Sequence, residues 1–260
     1  MIDYAFSMYE LEYFLLILCR ISGLIFTAPF YSMNSTPRRI KVGLAILVSY
    51  LIYQLFPMGD PLEYSGMLGY SVLVMKEISV GLLLGFGCNV CTMIVSFAGR
   101  IMDMEAGLSM ANLMDPTTKE QASVSGVLYQ QAVLLMLMAT GMYQYIMKAL
   151  AESYILIPVN GAIFRTDELL EVMLKFMADY ILIGFRICLP IFCVMIILNA
   201  VLGILAKVAP QMNMFAVGFQ MKVLTGLVVM FFTASMLPLL SDMLFTEMKT
   251  MMVAFVEAMM

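Results

Sequence analysis

Residues 78–99 read ISVGLLLGFGCNVCTMIVSFAG and carry no charged side chain between Glu77 and Arg100. A helix needs about 20 apolar residues to cross the hydrocarbon core of a bilayer, so this stretch is long enough to do so. Four more uncharged runs match or approach that length: residues 42–59, 121–147, 187–206 and 223–241. A sixth run, from Tyr13 to Tyr31, is interrupted only by Arg20. The sequence therefore predicts helices that meet lipid.

The composition of the whole chain agrees with this pattern. Of its 260 residues, 63% are hydrophobic and 12% are charged, whereas soluble domains are about 45–50% apolar and about 25% charged. The runs are continuously apolar and lack the alternation that marks the strands of a membrane barrel. We predict an all-α, polytopic membrane protein that forms a single domain over residues 1–260. Its six candidate spans are residues 13–31, 42–58, 78–98, 121–147, 181–206 and 222–241.

Several classes of function are disfavoured by what the sequence lacks. The net charge of −4 argues against nucleic-acid binding, which needs a basic surface against the phosphates. The five cysteines lie in apolar runs and the chain has no histidine, so Cys88 and Cys91 lack the further ligands that zinc sites use. The phosphate-binding, zinc-peptidase and nucleophile-elbow motifs are also missing. We predict no catalytic activity, no cofactor and no metal.

Five charged residues lie within the apolar runs or at their edges, where a lone charge is costly. They are Arg20, Lys76, Glu77, Arg186 and Lys222. At the centre of a bilayer such a charge costs about 2.5–3.5 kcal/mol on insertion scales. Edge residues reach the interface with their long side chains, but Arg20 lies in the middle of its run. We expect the charges to pair with carboxylates or carbonyls, in this chain or in a neighbouring subunit.

Glycines and prolines within the runs predict close packing and bends. Gly81 and Gly85 are four residues apart, a spacing that lets two helix backbones approach closely in a membrane. Pro190 and Pro210 remove helical hydrogen bonds and are expected to kink or break their helices. Such breaks are tolerated where the freed backbone groups face protein or a water-filled cavity.

The segment between the third and fourth runs, residues 99–120, is the strongest candidate for a functional element. Its candidate residues are Gly107, Met110, Leu113, Met114, Asp115 and Pro116. A solvated loop would carry fewer apolar side chains, and methionine fills irregular gaps. The segment therefore either seals a pore reversibly or packs as an ordinary loop. Thr118 and Gln121 fit a capping box, which predicts that the fourth span begins there.

Motifs spread over about 200 residues resemble, in their order and spacing, the FliR family of flagellar export proteins, whose virulence-type relatives are called SpaR or YscT. The opening pattern is Arg20, Gly23, Pro29 and Pro37-Arg38-Arg39. The central pattern is Ala98-Gly99-x3-Asp103-x3-Gly107, followed by Asp115-Pro116. The most specific match is Leu202-Gly203, Ala209-Pro210-Gln211-x-Asn213-x-Phe215-x2-Gly218 and Lys222. The chain departs from the family at Arg100, where an acidic residue is common, and after Gly141, where histidine is frequent.

This resemblance implies a channel-forming subunit of a type III secretion export gate, located in the bacterial inner membrane and the flagellar basal body. It implies kinked helical hairpins like a fusion of FliP and FliQ. The implied partners are FliP-like and FliQ-like gate subunits, FlhB-like and FlhA-like export proteins, membrane lipid and unfolded exported proteins. The segment from Gly107 to Thr118 resembles the plug of the family. Met110, Leu113 and Met114 would then seal the closed pore, and Gly107 and Pro116 would shape the segment.

Two other classes of function give different expectations. A secondary transporter for a small solute would act alone or as a homodimer, and it would need a polar site near mid-membrane. Only Glu77 comes near the placement within a span that ion-coupled transporters give their carboxylates. A membrane-embedded enzyme is the least favoured interpretation, because Asp103 and Glu105 lie two residues apart and so point to different faces of a helix.

Overall fold

The computed structural model describes residues 8–31, 36–56, 64, 66–109, 123–211 and 213–260, and these ranges contain helices and no strand. The helices are α1 (Met8–Thr27), α2 (Arg38–Leu55), α3 (Gly66–Glu105), α4 (Val124–Ala139), α5 (Met142–Leu156), α6 (Thr166–Val208), α7 (Met214–Thr233) and α8 (Leu237–Glu257). A 3₁₀ turn, Ala234–Met236, separates α7 from α8. The prediction of an all-α protein is confirmed.

Fewer helices than the predicted six have the length and composition to cross a membrane. Within the described ranges three stretches qualify, namely Gly66–Glu105, Thr166–Val208 and Phe215–Glu257, and α4 with α5 makes a fourth if this broken pair counts as one span. The first two predicted spans do not qualify. α1 includes Glu10, Glu12 and Arg20, and α2 has only 18 residues and begins with three basic side chains in its first four. The polytopic class is confirmed, with three or four candidate spans among the described residues in place of six.

The start of α4 differs from the predicted one. The helix begins at Val124, and Oγ of Ser123 caps it by accepting a hydrogen bond from the amide of Gly126 at 2.9 Å. The predicted capping box of Thr118 and Gln121 lies outside the described residues. Ser123 gives a weaker sequence signal, because the residue three positions later is glycine and not the Glu or Gln of a capping box. At its other end, α4 stops at Ala139. Gly141 follows shortly after with a φ of 81°, the left-handed conformation that glycine tolerates best.

The chain forms two compact units. Unit 1 comprises Met1–Val90, Gly141–Phe176 and Thr246–Met260, and unit 2 comprises Cys91–Thr140 and Met177–Phe245. The helices α3, α6 and α8 each contribute residues to both units. The single domain over residues 1–260 stays a prediction.

The core of unit 1 is built on one buried face of α1. Its fully buried apolar side chains are Leu16, Ile17, Ile21, Leu24 and Ile25. This three- and four-residue spacing is the stripe that an α-helix turns toward a core. α2 packs against the first half of α1 through Tyr53, whose ring centroid lies 6.2 Å from that of Tyr13. Phe86 of α3 joins the rings of Phe176 and Phe255 at 5.3 and 6.1 Å.

The core of unit 2 is built around the second part of α3. Its buried apolar side chains include Ile94, Val95 and Ala98 of α3, Val133 and Leu137 of α4, and Ile187, Ile191 and Met195 of α6. The ring of Phe97 lies 5.0 Å from that of Tyr180 on α6. A side chain at Gly184 would collide with Phe97, so this glycine lets the ring lie against the helix backbone.

Candidate functional site

The first polar site lies inside unit 1, where Arg20 and Glu77 form a fully buried ion pair. Nε of Arg20 donates to Oε2 of Glu77 at 2.6 Å, and Nη2 donates to Oε1 at 3.1 Å. Both side chains have no exposed surface. The two parallel hydrogen bonds are the arrangement that arginine and carboxylate prefer. The pair joins α1 to α3 across 57 positions of sequence.

The chain that follows α5 completes this site. Nη1 of Arg20 donates to the carbonyl of Ile157 at 2.9 Å, and Nη2 donates to that of Pro158 at 3.5 Å. Oε1 of Glu77 also accepts from the amide of Asn160 at 3.0 Å. Asn160 has a φ of 70°, in the left-handed region that asparagine enters more readily than most residues. The ion pair therefore ties three separate parts of unit 1 together.

An aromatic ring covers the ion pair. Cζ of Arg20 lies 4.3 Å from the centre of the Tyr154 ring, within the range of a cation–π contact. Sequence reasoning selected Arg20 and Glu77, but it missed Tyr154, Asn160 and the two carbonyls. The local sequence around Ile157 and Pro158 gives no signal of a charge partner, because a carbonyl acceptor is present at every residue.

A seam of close backbone contact lies beside this site. A side chain at Gly81 would collide with the carbonyl oxygen of Arg20, and one at Gly85 would collide with Oγ1 of Thr27. At Gly23 an added Cβ would lie 3.0 Å from the carbonyl of Ile78. The predicted glycine pair thus lies where α3 is in close contact with α1.

The other predicted charge positions are not gathered into the Arg20 site. Lys76 is partly exposed, Arg186 is exposed on α6, and Lys222 is partly exposed on α7. No salt bridge is formed by these three side chains within the described part of the chain. Their pairing with groups outside this chain stays a prediction.

The two predicted prolines behave differently. Pro190 lies inside α6, which runs through it without interruption. Because proline has no N–H, the carbonyl of Arg186 loses its usual helical donor there. Pro210 lies in the turn after Val208, where α6 ends.

The second polar site lies in unit 2 at the end of α3, beside the predicted plug segment. Residues 99–105 of the segment 99–120 are helical and belong to α3. Gly107 follows with a φ of 78°, which a residue with a side chain would adopt only with strain. Gly107 and Lys222 line one open pocket together with Met104, Ser109 and Phe219. The predicted residues Met110, Leu113, Met114, Asp115 and Pro116 lie outside the described residues.

Asp103 connects the end of α3 to the start of α4. This side chain is only 2% exposed, and its Oδ1 accepts a hydrogen bond from the amide of Ser125 at 3.1 Å. Nearby, Oγ of Ser125 donates to Sδ of Met230 on α7 at 3.3 Å. Sequence reasoning treated Asp103 only as part of a family pattern and as an unsuitable partner for Glu105. Its helix-capping position could not be found without the true start of α4.

Comparison with models of protein families adds the decisive observation. Residues 11–248 match the family described as bacterial export proteins, family 1. The chain belongs to this family. The match includes both polar sites, from Arg20 and Glu77 in unit 1 to Asp103 and Ser125 in unit 2.

Alignments with individual relatives cover most of the chain. It is 28% identical to flagellar biosynthetic protein FliR of Escherichia coli (strain K12) over 233 residues, which are 88% of this chain and 87% of that protein. It is 26% identical to FliR of Bacillus subtilis (strain 168) over 219 residues, 84% of each. It is 27% identical to FliR of Aquifex aeolicus (strain VF5) over 212 residues, 81% of each. The predicted likeness to the FliR family is confirmed.

Proposed function

We propose that this protein is a channel-forming subunit of the flagellar type III protein export gate in the bacterial inner membrane. The observation that carries the proposal is the family match over residues 11–248, together with relatives that are flagellar biosynthetic proteins. The role is structural and non-enzymatic. Unfolded flagellar proteins would pass through the assembled gate, and partner proteins would supply the energy, since the chain has no phosphate-binding loop.

The exposed apolar surface supports a place inside a larger assembly. In Phe215–Glu257 only 17% of the most apolar window is buried, and in Thr166–Val208 only 33%. Exposed side chains on α7 include Leu224, Leu227, Val228, Phe231 and Phe232. Such a surface needs lipid or other apolar helices around it. We propose FliP-like and FliQ-like subunits as the helices that cover it, with FlhB-like and FlhA-like proteins as further partners at the basal body.

The segment that follows α3 is proposed to close the channel. It begins just after α3, where Gly107 adopts a left-handed conformation, and it contains the apolar residues Met110, Leu113 and Met114. Deleting residues 106–117 should leave the gate assembled and raise its permeability to small ions. Replacing Met110, Leu113 and Met114 together with serine should have the same effect, because the apolar seal is lost at unchanged length.

The measurement is ion leakage from vesicles or cells that contain the assembled gate. A matched control replaces Met110 and Met114 with leucine, which keeps the segment apolar and should keep the channel tight. Unchanged leakage from an assembled gate that lacks residues 106–117 would refute the plug assignment.

Purification in mild detergent tests the role as a gate subunit. The chain should copurify with other small membrane proteins and lose its solubility or its fold without them. A monodisperse monomer or homodimer that binds a small solute would instead show a secondary transporter.

A further inference from the structure

Three basic side chains lie together at the start of α2. Arg38 and Arg39 are exposed and Lys41 is partly exposed, and none of them forms a salt bridge within the described ranges. They are the only charged residues of α2, and its first turn has no acidic residue. The aligned peptide dipoles make the start of a helix unfavourable for positive charge. The three bases therefore lower the stability of α2, and no acidic side chain of this helix compensates for them.

The outer face of α2 begins with one of these bases and continues with apolar side chains. Ile46 and Tyr50 follow Arg39 at spacings of seven and eleven residues, which places all three on one side of the helix. Ile46 is 47% exposed and Tyr50 is 54% exposed. A second exposed row lies beside the first and consists of Ile40, Leu47 and Leu51. α2 thus presents an exposed apolar strip with a guanidinium at one end.

The length of this strip matches one leaflet of a bilayer. After Arg39, the next polar side chain on this face is Tyr50, whose hydroxyl accepts a hydrogen bond from Nε2 of Gln54 at 2.8 Å. The helical rise of 1.5 Å per residue puts Arg39 and Tyr50 about 16 Å apart along the axis. Half of the hydrocarbon core of a bilayer is about 15 Å thick. The acyl chains of one lipid layer can therefore cover the strip while a headgroup reaches the bases.

The combination of charge and apolar surface favours a lipid over a protein partner. An anionic lipid carries a phosphate followed by hydrocarbon chains, in the same order as the bases and the strip along α2. The planar guanidinium of arginine pairs with phosphate through two parallel hydrogen bonds, and basic clusters beside an apolar helix are attracted to anionic membrane surfaces. A protein partner would instead have to place carboxylates directly beside an apolar contact, where their desolvation is costly.

We propose that Arg38, Arg39 and Lys41 bind the phosphate headgroup of an anionic membrane lipid, whose acyl chains lie along the outer face of α2. Arg39 stands at the head of the apolar strip and holds the phosphate. Arg38 and Lys41, in the same turn, add positive charge around it. The site belongs to unit 1 alone and does not depend on the role of the protein in export.

The test measures how strongly the full-length protein, purified in mild detergent, retains added lipid in native mass spectrometry. Dioleoyl phosphatidylglycerol supplies both charge and chains, dioleoyl phosphatidylcholine supplies the same chains without net charge, and inorganic phosphate supplies charge without chains. The wild type should retain phosphatidylglycerol best, and excess inorganic phosphate should not displace it. Combining Arg38→Gln, Arg39→Gln and Lys41→Gln should weaken this retention by about five-fold for each charge removed.

A matched control removes three other bases of unit 1. Lys148→Gln, Arg165→Gln and Lys175→Gln change the net charge by the same amount at exposed positions outside α2. This control should retain phosphatidylglycerol as the wild type does. A loss of retention equal to that of the α2 variant would show a response to net charge alone and would overturn the site.

Two single variants separate the shape of arginine from its charge. Arg39→Lys keeps the charge without the planar fork, so it should retain phosphatidylglycerol less well than the wild type and better than Arg39→Gln. Equal retention by the triple α2 variant and the wild type would refute the proposal, as would equal retention of the two lipids by the wild type. Displacement by inorganic phosphate would show a site for the ion alone. Loss of a copurifying protein, with lipid retention unchanged, would show that the bases face a protein partner instead.

Discussion

Arg20 lies in the middle of an apolar helix, and four hydrogen bonds from its guanidinium reach acceptors on two other parts of unit 1. This arrangement explains how a charged side chain can lie in the middle of an apolar run. A buried charge is tolerated when a partner neutralises it and when its remaining donors are satisfied. Glu77 neutralises the charge, and the carbonyls of Ile157 and Pro158 accept hydrogen bonds from the remaining donors. The site has the character of a structural joint, because both of its charged side chains are fully buried.

Removing one member of the pair should be costly. Glu77→Gln leaves the Arg20 charge buried without its counterion, and we expect about 3–5 kcal/mol of lost stability, as for other broken buried pairs. Lys76→Gln is the control, because it removes a neighbouring charge that is partly exposed. Thermal unfolding of the purified protein in detergent measures both. Equal midpoints for Glu77→Gln and the wild type would contradict the structural role of the pair.

At the scale of elements, α1 and α3 owe their close approach to glycine. No side chain separates Gly81 from the carbonyl of Arg20, so the two backbones meet directly. In a membrane such contact stabilises helix pairs through dispersion forces, since lipid offers no hydrophobic drive for association. Glu77 lies four residues before Gly81 on α3. The same contact therefore brings Glu77 within reach of Arg20.

Gly81→Ala should therefore push α1 and α3 apart and destabilise unit 1 by about 1–3 kcal/mol, the usual cost of overpacking a core. Gly43→Ala is the matched control on α2, where an added Cβ meets no atom within 4 Å. There the change should stabilise the helix by about 0.5–1 kcal/mol, because alanine loses less backbone entropy than glycine. The difference in thermal midpoint between the two variants is the readout, and a Gly81→Ala protein as stable as Gly43→Ala would contradict the contact.

At the scale of the whole molecule, the exposed apolar faces of α6 and α7 need lipid or other apolar helices around them. Arg186 is an exposed charged residue on α6. It lies five residues inside the predicted span 181–206, whereas Lys207 follows its last residue. Pro190 also frees the carbonyl of Arg186 from the helix. A guanidinium and a free carbonyl at one place need a polar partner in a membrane.

Charge reversal at these two positions tests whether that partner is another subunit. Arg186→Glu should prevent copurification of the gate subunits, because a second carboxylate would face the one expected on the partner. Lys207→Glu should leave copurification unchanged, since a side chain at the edge of a span reaches water. Intact assembly with Arg186→Glu would show that Arg186 faces lipid headgroups or water.

The sequence by itself determined the features that depend on composition and on the order of residues along the chain. The uncharged runs predicted helices in a membrane, because the length of an apolar run is a property of neighbouring residues. The order and spacing of the motifs along the chain predicted the export family. The six predicted spans exceed the three or four candidates among the described residues, since run length alone ignored the acids of α1 and the basic start of α2.

Only the tertiary structure decided the partners. It joined Arg20 to Glu77, to two carbonyls and to the Tyr154 ring, and it placed Asp103 at the amide of Ser125. It also set the start of α4 at Val124, where Ser123 provides the cap. Apart from the local Ser123 cap, each of these contacts joins residues that are far apart in the sequence, and their separation carries no periodic signal. Which distant donor meets which acceptor is fixed only when the helices pack, because packing sets the few distances at which a buried charge can be satisfied.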